Sequence, residues 1–286
     1  MSGTDARAFA GGSTATGTGA TAGGACSFAN GAAALALGYC AQTGTAGASA
    51  NAATAVGNKA QAMADNSTAV GSGAQAAGVG SIAVGNGAQA QSTGSVAIGD
   101  GAIARSSVAV GVQSLAGGLN TTALGDRAQA VGDYSVAVGN NSRALGANSV
   151  AIGNGSAADL PNTVSIGAPG AERRLTNVAP GIAPTDAPNM SQLREVEQNT
   201  YAKVREVERK AYAGVAMSVA LASAKGPLLE AGDKSFAAGI GTYGGNTALA
   251  VTFQALDRSG KYSYNIGASS NMREFTIGAG IGVRWK

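Results

Sequence analysis

The sequence predicts a mainly β chain interrupted by one coiled-coil helix. Three features lead there: a glycine-ended repeat of fixed length, a stretch with small or apolar residues three and four positions apart, and four alternating strands at the C-terminal side. In chain order they give a solenoid of short strands, a proline-containing segment, a short coiled coil and one part of a transmembrane barrel of about twelve strands. The predicted boundaries are 1–50 for low-complexity, degenerate head repeats, 51–172 for the head, 173–192 for the neck, 193–225 for the coiled-coil stalk and lumen helix, and 226–286 for the anchor.

Composition narrows the function classes. The chain has 286 residues, 45 of them Gly, with 5% aromatic and 12% charged residues. Average proteins carry about 7% Gly and about 25% charge, so no ordinary core of large side chains is being built. A formal charge of +3, spread along the chain, points away from nucleic acid. The chain has no His, which removes Ser-His-Asp and Cys-His catalysis and most zinc sites. No paired acids or metal cluster stand out, so neither enzyme activity nor a cofactor is expected. Residues 1–24 lack a basic segment followed by an apolar one, and no run of eighteen apolar residues exists. An outer-membrane chain needs a leader, so the true start is expected to be missing or misplaced.

The repeat runs from Ala53 to Gly167 with the core Ser/Thr-x-Ala-x-Gly, as in Ser95-Val-Ala-Ile-Gly99 and Ser149-Val-Ala-Ile-Gly153. Its last glycines, Gly57, Gly71, Gly85, Gly99, Gly111, Gly125, Gly139, Gly153 and Gly167, are 14 apart except for one step of 12 after Gly99. A short fixed period defines a solenoid, and this length allows two short strands and two turns per coil. Val and Ile share one face of the strand and Ala takes the other. Calcium-binding rolls need an Asp in most repeats. Here the residue after the glycine is Asn58, Ser72, Asn86, Asp100, Val112, Asp126 or Asn140, too few carboxylates for serial chelation. Ser27-Phe-Ala-Asn-Gly31 is a weak copy of the repeat, and Thr43–Ala50 has lost the pattern.

Pro180, Pro184 and Pro188 exclude helix from the segment after the repeat, and Asn189 or Ser191 can cap the one that follows. Leu193, Val196, Thr200 and Val204 are spaced three-four-four; Val204, Val207, Ala211, Gly214, Ser218 and Leu221 alternate three and four. That is a coiled-coil seam with a locally straightened supercoil. Beyond Lys210 the helix becomes small and uncharged, as suits a helix inside a protein-lined pore; Gly226-Pro227 ends it.

From Lys234 onward, four stretches alternate with period two. One face carries Phe236, Ile240, Leu249, Val251, Phe253, Tyr262, Tyr264, Ile266, Phe275, Ile277, Ile281, Val283 and Trp285; the other is tiny or polar. Strands of roughly 9–11 residues with apolar-out alternation fit an outer-membrane barrel. Four strands cannot close, and an open edge in lipid leaves N–H and C=O groups without partners. Three copies would supply twelve strands. The bare inner face of Gly239, Gly241, Gly267, Gly278, Gly280 and Gly282 fits a lumen filled by the preceding helix.

The Ser-Val-Ala-Ile-Gly repeats, the neck Leu175–Leu193, the short coiled coil and the four-strand end together resemble the YadA-like trimeric autotransporter adhesins, over roughly Ala53–Lys286. The resemblance implies a homotrimer with a left-handed parallel β-roll head. It also implies a twelve-stranded barrel holding three helices, inserted in the outer membrane by the barrel-assembly machinery. The anchor would export the passenger to the cell surface, and the head would attach the bacterium to host cells, matrix proteins or other surfaces. The resemblance makes Gly239 and Gly241 the pore-facing glycines of the first anchor strand that aid export. The stalk is short for the family, and Trp285-Lys286 stands where the family usually ends on an aromatic.

No ligand-binding residue is fixed by the sequence. Gln61, Gln75, Gln89, Arg105, Arg127 and Arg143 are serial exposed candidates, with solvated surface as the plainer reading. A self-associating surface coat is the alternative to an adhesin. Cys26 and Cys40 are also 14 apart, so stacking would bring their Cα atoms within disulfide range. A loop closed before export would have to pass a narrow lumen, so free thiols, or a bond made after export, are expected.

Overall fold

The computed structural model describes residues 2–285; Lys286, and with it the expected effect of a terminal Lys on insertion, lies outside them. The chain divides into two units, Met1–Arg174 and Leu175–Lys286.

The first unit is a parallel β-solenoid. Strands β1 (Arg7–Ala8) to β23 (Val164–Ser165) alternate between a 12-stranded and an 11-stranded sheet. Each strand pairs in parallel with its counterpart one coil on, Ile82 opposite Val96 and Gln75 opposite Gln89. Nearly every strand turns an alanine inward, such as Ala69, Ala76, Ala83 and Ala90, all fully buried, with Thr43 and Ser165 in that place at Gln42–Thr43 and Val164–Ser165. Small inner residues let the two sheets close on each other without voids. Val and Ile of the repeat point outward and stay partly exposed, Ile152 at 47%.

The repeat's Ser has its own task. Ser81 Oγ donates to the Gly78 carbonyl at 2.7 Å, Ser95 to Ser92 at 2.7 Å and Ser142 to Gly139 at 2.8 Å. A buried corner carbonyl is thereby satisfied by a buried hydroxyl three residues later. The repeat's last glycine is held by backbone approach. At Gly71, φ is +132°, and a Cβ would lie 2.7 Å from the carbonyl carbon of Gly85 in the next coil.

The degenerate repeats ahead of residue 51 stack as coils too. Coils continue back to Arg7, with Thr21 opposite Leu35 and Thr14 opposite Phe28. Residues 1–50 satisfy the two demands of the coil, a small inner residue and a left-handed corner. Their left-handed corners are held by Asp5, Gly12, Gly19, Cys26, Ala33 and Cys40, as later ones are held by Lys59, Asn66 or Gly73. The lost pattern at Thr43–Ala50 is an insertion: Leu35 pairs with Thr54 and Gln42 with Gln61, and a loop closes by the Thr45–Ala48 bridge. The short step is absorbed too, Val96 pairing with Val108 and Ile103 with Leu115.

The second unit holds helix α1 (Met190–Ser223) and strands β24 (Lys234–Tyr243), β25 (Asn246–Leu256), β26 (Tyr262–Ser270) and β27 (Phe275–Val283). Of the two predicted caps, Asn189 is used. Its side chain accepts from the amides of Ser191 and Gln192 at 3.1 and 3.2 Å, and Gln192 reaches back to the Asn189 amide at 3.2 Å. The Gln192 carboxamide also exchanges two hydrogen bonds of 2.9 Å with the backbone of Gly181, tying the neck to the helix start. Asp186 accepts from Ile182 and Ala183 at 2.9 Å, and these amides hold its carboxyl below the usual carboxylate range.

The four strands form one antiparallel sheet in sequence order, with β24 and β27 at its edges. Tyr243 pairs with Asn246 across Gly244 and Gly245, at φ 53° and 77°, a two-residue hairpin turn made by glycines. No helix among the described residues is long and apolar enough to cross a membrane.

Candidate functional site: the helix on the anchor sheet and the solenoid faces

The anchor sheet is inverted relative to a soluble protein. Its large side chains face away from the helix and are exposed, Phe236 at 74% and Phe275 at 75%. Its small ones are covered: Ala248, Ala250 and Thr252 lie under α1. Opposite them the helix offers Ala213, Ala216, Met217 and Ala220, all buried.

Gly239 and Gly241 sit beneath this helix. A Cβ on Gly239 would stand 2.5 Å from the amide nitrogen of Ala224; one on Gly241 would stand 2.9 Å from the carbonyl carbon of Val219 and overlap the Ala216 carbonyl. The helix backbone rides directly on β24 because these positions carry no side chain. Ser223 Oγ donates to the Ile240 carbonyl at 3.0 Å, and Thr252 Oγ1 donates to the Ala224 carbonyl at 2.7 Å, satisfying the helix end against two strands. Farther back along the helix, Tyr212 meets Tyr243 edge to face at 5.3 Å between centroids. Neither the serine, the threonine nor the tyrosines stand out in the sequence, since their task exists only once the helix lies on the sheet.

On the solenoid, the structure sorts the serial candidates. Gln61, Gln75 and Gln89 stand on consecutive rungs of one sheet, and Gln42, which the sequence reading passed over, extends the row. Arg143 continues the same sheet beside Gln129 and lies 3.7 Å from Asp159. Arg127 stands apart at a left-handed corner, φ 56°, and Arg105 follows the strand Ile103–Ala104. The row is a polar ledge and leaves no enclosed site.

Cys26 and Cys40 are joined as a disulfide with a Cα–Cα separation of 4.6 Å, the bonded one of the two expected states. Both occupy equivalent left-handed corners, φ 55° and 49°, of stacked coils. Stacking alone brings them within bonding range.

A repetitive parallel-solenoid head followed by a capped helix resting on a membrane-type sheet is the build of a surface-displayed autotransporter. The chain belongs to the YadA-like trimeric autotransporter adhesins: six segments at 48–74, 76–102, 102–128, 116–142, 130–156 and 144–168 match the YadA head domain repeat, 174–213 matches the coiled stalk of trimeric autotransporter adhesin, and 229–285 matches the YadA-like membrane anchor domain. It is similar to the autotransporter adhesin NhhA of Neisseria meningitidis serogroup B, with 33% identity over 113 residues, or 39% of this chain and 19% of that protein. The chain thus spans about a fifth of the length of that curated relative. The crystal structure of the collagen-binding domain of the Yersinia adhesin YadA aligns with 34% identity and a TM-score of 0.40, over 51% of this chain and 83% of that one.

Proposed function

We propose that three copies of this chain close a twelve-stranded barrel in the bacterial outer membrane, export their own heads through it and display them as a non-enzymatic adhesin. The observation that carries this is the anchor sheet: an open four-strand sheet, apolar outside and covered inside by its own helix. Such a sheet has no stable place in lipid until its edges are paired. Two further stripes want the same partners. Val196, Val204 and Val207 lie exposed on the seam side of α1, and the outward Val and Ile of the 12-stranded sheet form an apolar strip along the solenoid. Three identical heads would present the same polar ledge three times, so weak contacts would add through effective concentration.

The first test is electrophoresis of outer membranes, where a heat-resistant band of trimer size is expected and a detergent-free soluble monomer would sink the reading. The second removes residues 53–167. Surface attachment should be lost while export of the remainder persists; unchanged attachment would refute the adhesive role. Mixing displaying with non-displaying cells separates attachment from self-association, because a surface coat would clump only the displaying cells.

A further inference from the structure

The two ends of the anchor sheet differ in chemistry. Where α1 begins to cover the sheet, Arg209 and Glu274 form an ion pair of 3.5 Å, and Phe275 is the outward aromatic. The opposite end gathers cations. Lys234 opens β24, Arg258 lies in the turn after β25, Lys261 precedes β26, and Arg284 follows β27. Lys234 pairs with Ala255, and the Arg284 amide donates to the Lys261 carbonyl at 2.8 Å, so the four sit on one rim. All four are exposed, and none is in an ion pair among the described residues.

Two of the three acids nearby, Asp257 and Asp233, are turned to the backbone, and Glu230 is exposed, leaving four cations against one acid whose carboxylate has no hydrogen bond among the described residues. Asp257 accepts from the amides of Lys261 and Tyr262 at 2.8 and 2.9 Å, and Asp233 accepts from the Glu230 amide at 2.9 Å. On the outward face, immediately inside the cations, stand Phe236, Tyr262 and Tyr264, all exposed. Lys261 Nζ lies 5.7 Å from the Tyr262 ring centroid. Aromatic side chains at strand ends settle at the boundary of the hydrocarbon layer. Cations one or two residues beyond them then stand at the depth of lipid phosphates.

We propose that the rim of Lys234, Arg258, Lys261 and Arg284 binds the phosphate headgroups of anionic phospholipids in the membrane leaflet on that side. The inference rests on the barrel reading above, and closure by three copies would make the rim a ring. Lipid is the occupant because the cations stand next to lipid-facing aromatics rather than in a closed pocket. Near a membrane surface each such cation raises partitioning roughly fivefold.

The test uses the full chain, purified as its oligomer in a nonionic detergent and stripped of lipid, with phosphatidylglycerol or phosphatidylcholine added in mixed micelles. Native mass spectrometry should find phosphatidylglycerol retained over phosphatidylcholine, and it should raise the oligomer's dissociation temperature. Arg258→Gln with Lys261→Gln should reduce retention about tenfold or more, while Lys261→Arg keeps it. Equal retention of both lipids, or retention unaltered by the double substitution, would overturn the proposal. So would equal stabilisation by inorganic phosphate or by soluble acidic cell-wall fragments, which would make the rim a general anion site. If no detergent-dependent oligomer forms, the barrel reading falls and this one with it; an oligomer indifferent to headgroup charge removes this one alone.

Discussion

The Arg209 guanidinium lies 3.5 Å from the Glu274 carboxylate, joining the helix to the β26–β27 turn across 65 residues of sequence. Both side chains are about one-third exposed, 35% and 28%, so the pair is more than a solvated surface contact and less than a buried one. Glu274→Gln is expected to cost about 1 kcal/mol and lower the oligomer's dissociation temperature by a few degrees. Arg209→Glu with Glu274→Arg should restore most of it. A double-mutant cycle with no coupling would show that the contact fixes nothing.

Gly241 leaves no room between β24 and the helix backbone. Gly241→Val should therefore displace the helix, at a cost of several kcal/mol, since an overpacked site usually costs about 1–3 kcal/mol and here the neighbour is main chain. Surface display of the head, read by antibody on intact cells, should fall sharply for Gly241→Val and less for Gly241→Ala. Full display by both variants would mean that the helix does not rest on this strand in the assembled protein.

The hydroxyl of Ser81 is buried and bonded to the Gly78 carbonyl. Ser81→Ala should cost about 1–2 kcal/mol by leaving that carbonyl unpaired. Gly85→Val, whose side chain would meet the backbone of Gly99, should break the stack locally. Thermal melts of the displayed head and hydrogen exchange in the adjoining coils would measure both. Melting unchanged by Ser81→Ala would remove the hydroxyl's structural role.

Asp257 is held at a pKa of about 2 by the Ser259 hydroxyl and then by the amides of Tyr262 and Lys261. A carboxyl whose folded pKa is depressed adds stability above its unfolded pKa, near 3.9, and loses it as pH falls toward the folded value. The β25–β26 turn should stay protected from hydrogen exchange from neutral pH down to about 4, and open between about 4 and 2. Asp257→Ala, which removes the acceptor, should expose the Lys261 and Tyr262 amides at every pH, whereas Asp257→Asn should keep them bonded and flatten the profile. A flat profile in the natural chain would contradict the assignment.

The Cys26–Cys40 link closes a loop one coil long. Reduction, or Cys26→Ser, should destabilise the N-terminal coils by about 3 kcal/mol on the chain-entropy estimate. Limited proteolysis should then cut ahead of residue 51 and leave the later coils intact. Thiol labelling of intact cells before and after reductant gives the bonding state directly, and full labelling without reductant would refute the pairing.

Much of this architecture is legible in the residues. The glycine phase from Gly57 onward and the Val-Ala-Ile alternation predict the stacked coils, and the period-two pattern after Lys234 predicts the sheet with its small side inward. The first fifty residues were harder. Their inner alanines, Ala15, Ala22, Ala29 and Ala36, keep the rule, but the Val or Ile that precedes the repeat's glycine is missing from most of their coils, and an insertion at Thr43–Ala50 breaks the step. A reader of single residues sees low complexity there, because what repeats is a conformation. The pairing of Cys26 with Cys40 was a matter of geometry that spacing allowed and export arguments weighed against. Ser223, Thr252 and Tyr212 could not be singled out, since each owes its partner to where the helix comes to rest on the sheet.

The left-handed corners recur about every seventh residue, and the coils of irregular length alter only the loop or corner where they differ, while the strands on either side keep their partners. Genetic gain or loss of a whole turn should therefore be a mild event for such a gene. Unequal recombination between near-identical segments would lengthen or shorten the solenoid by about 4.8 Å per turn. Lineages carrying this chain should differ in the number of turns long before they differ in build.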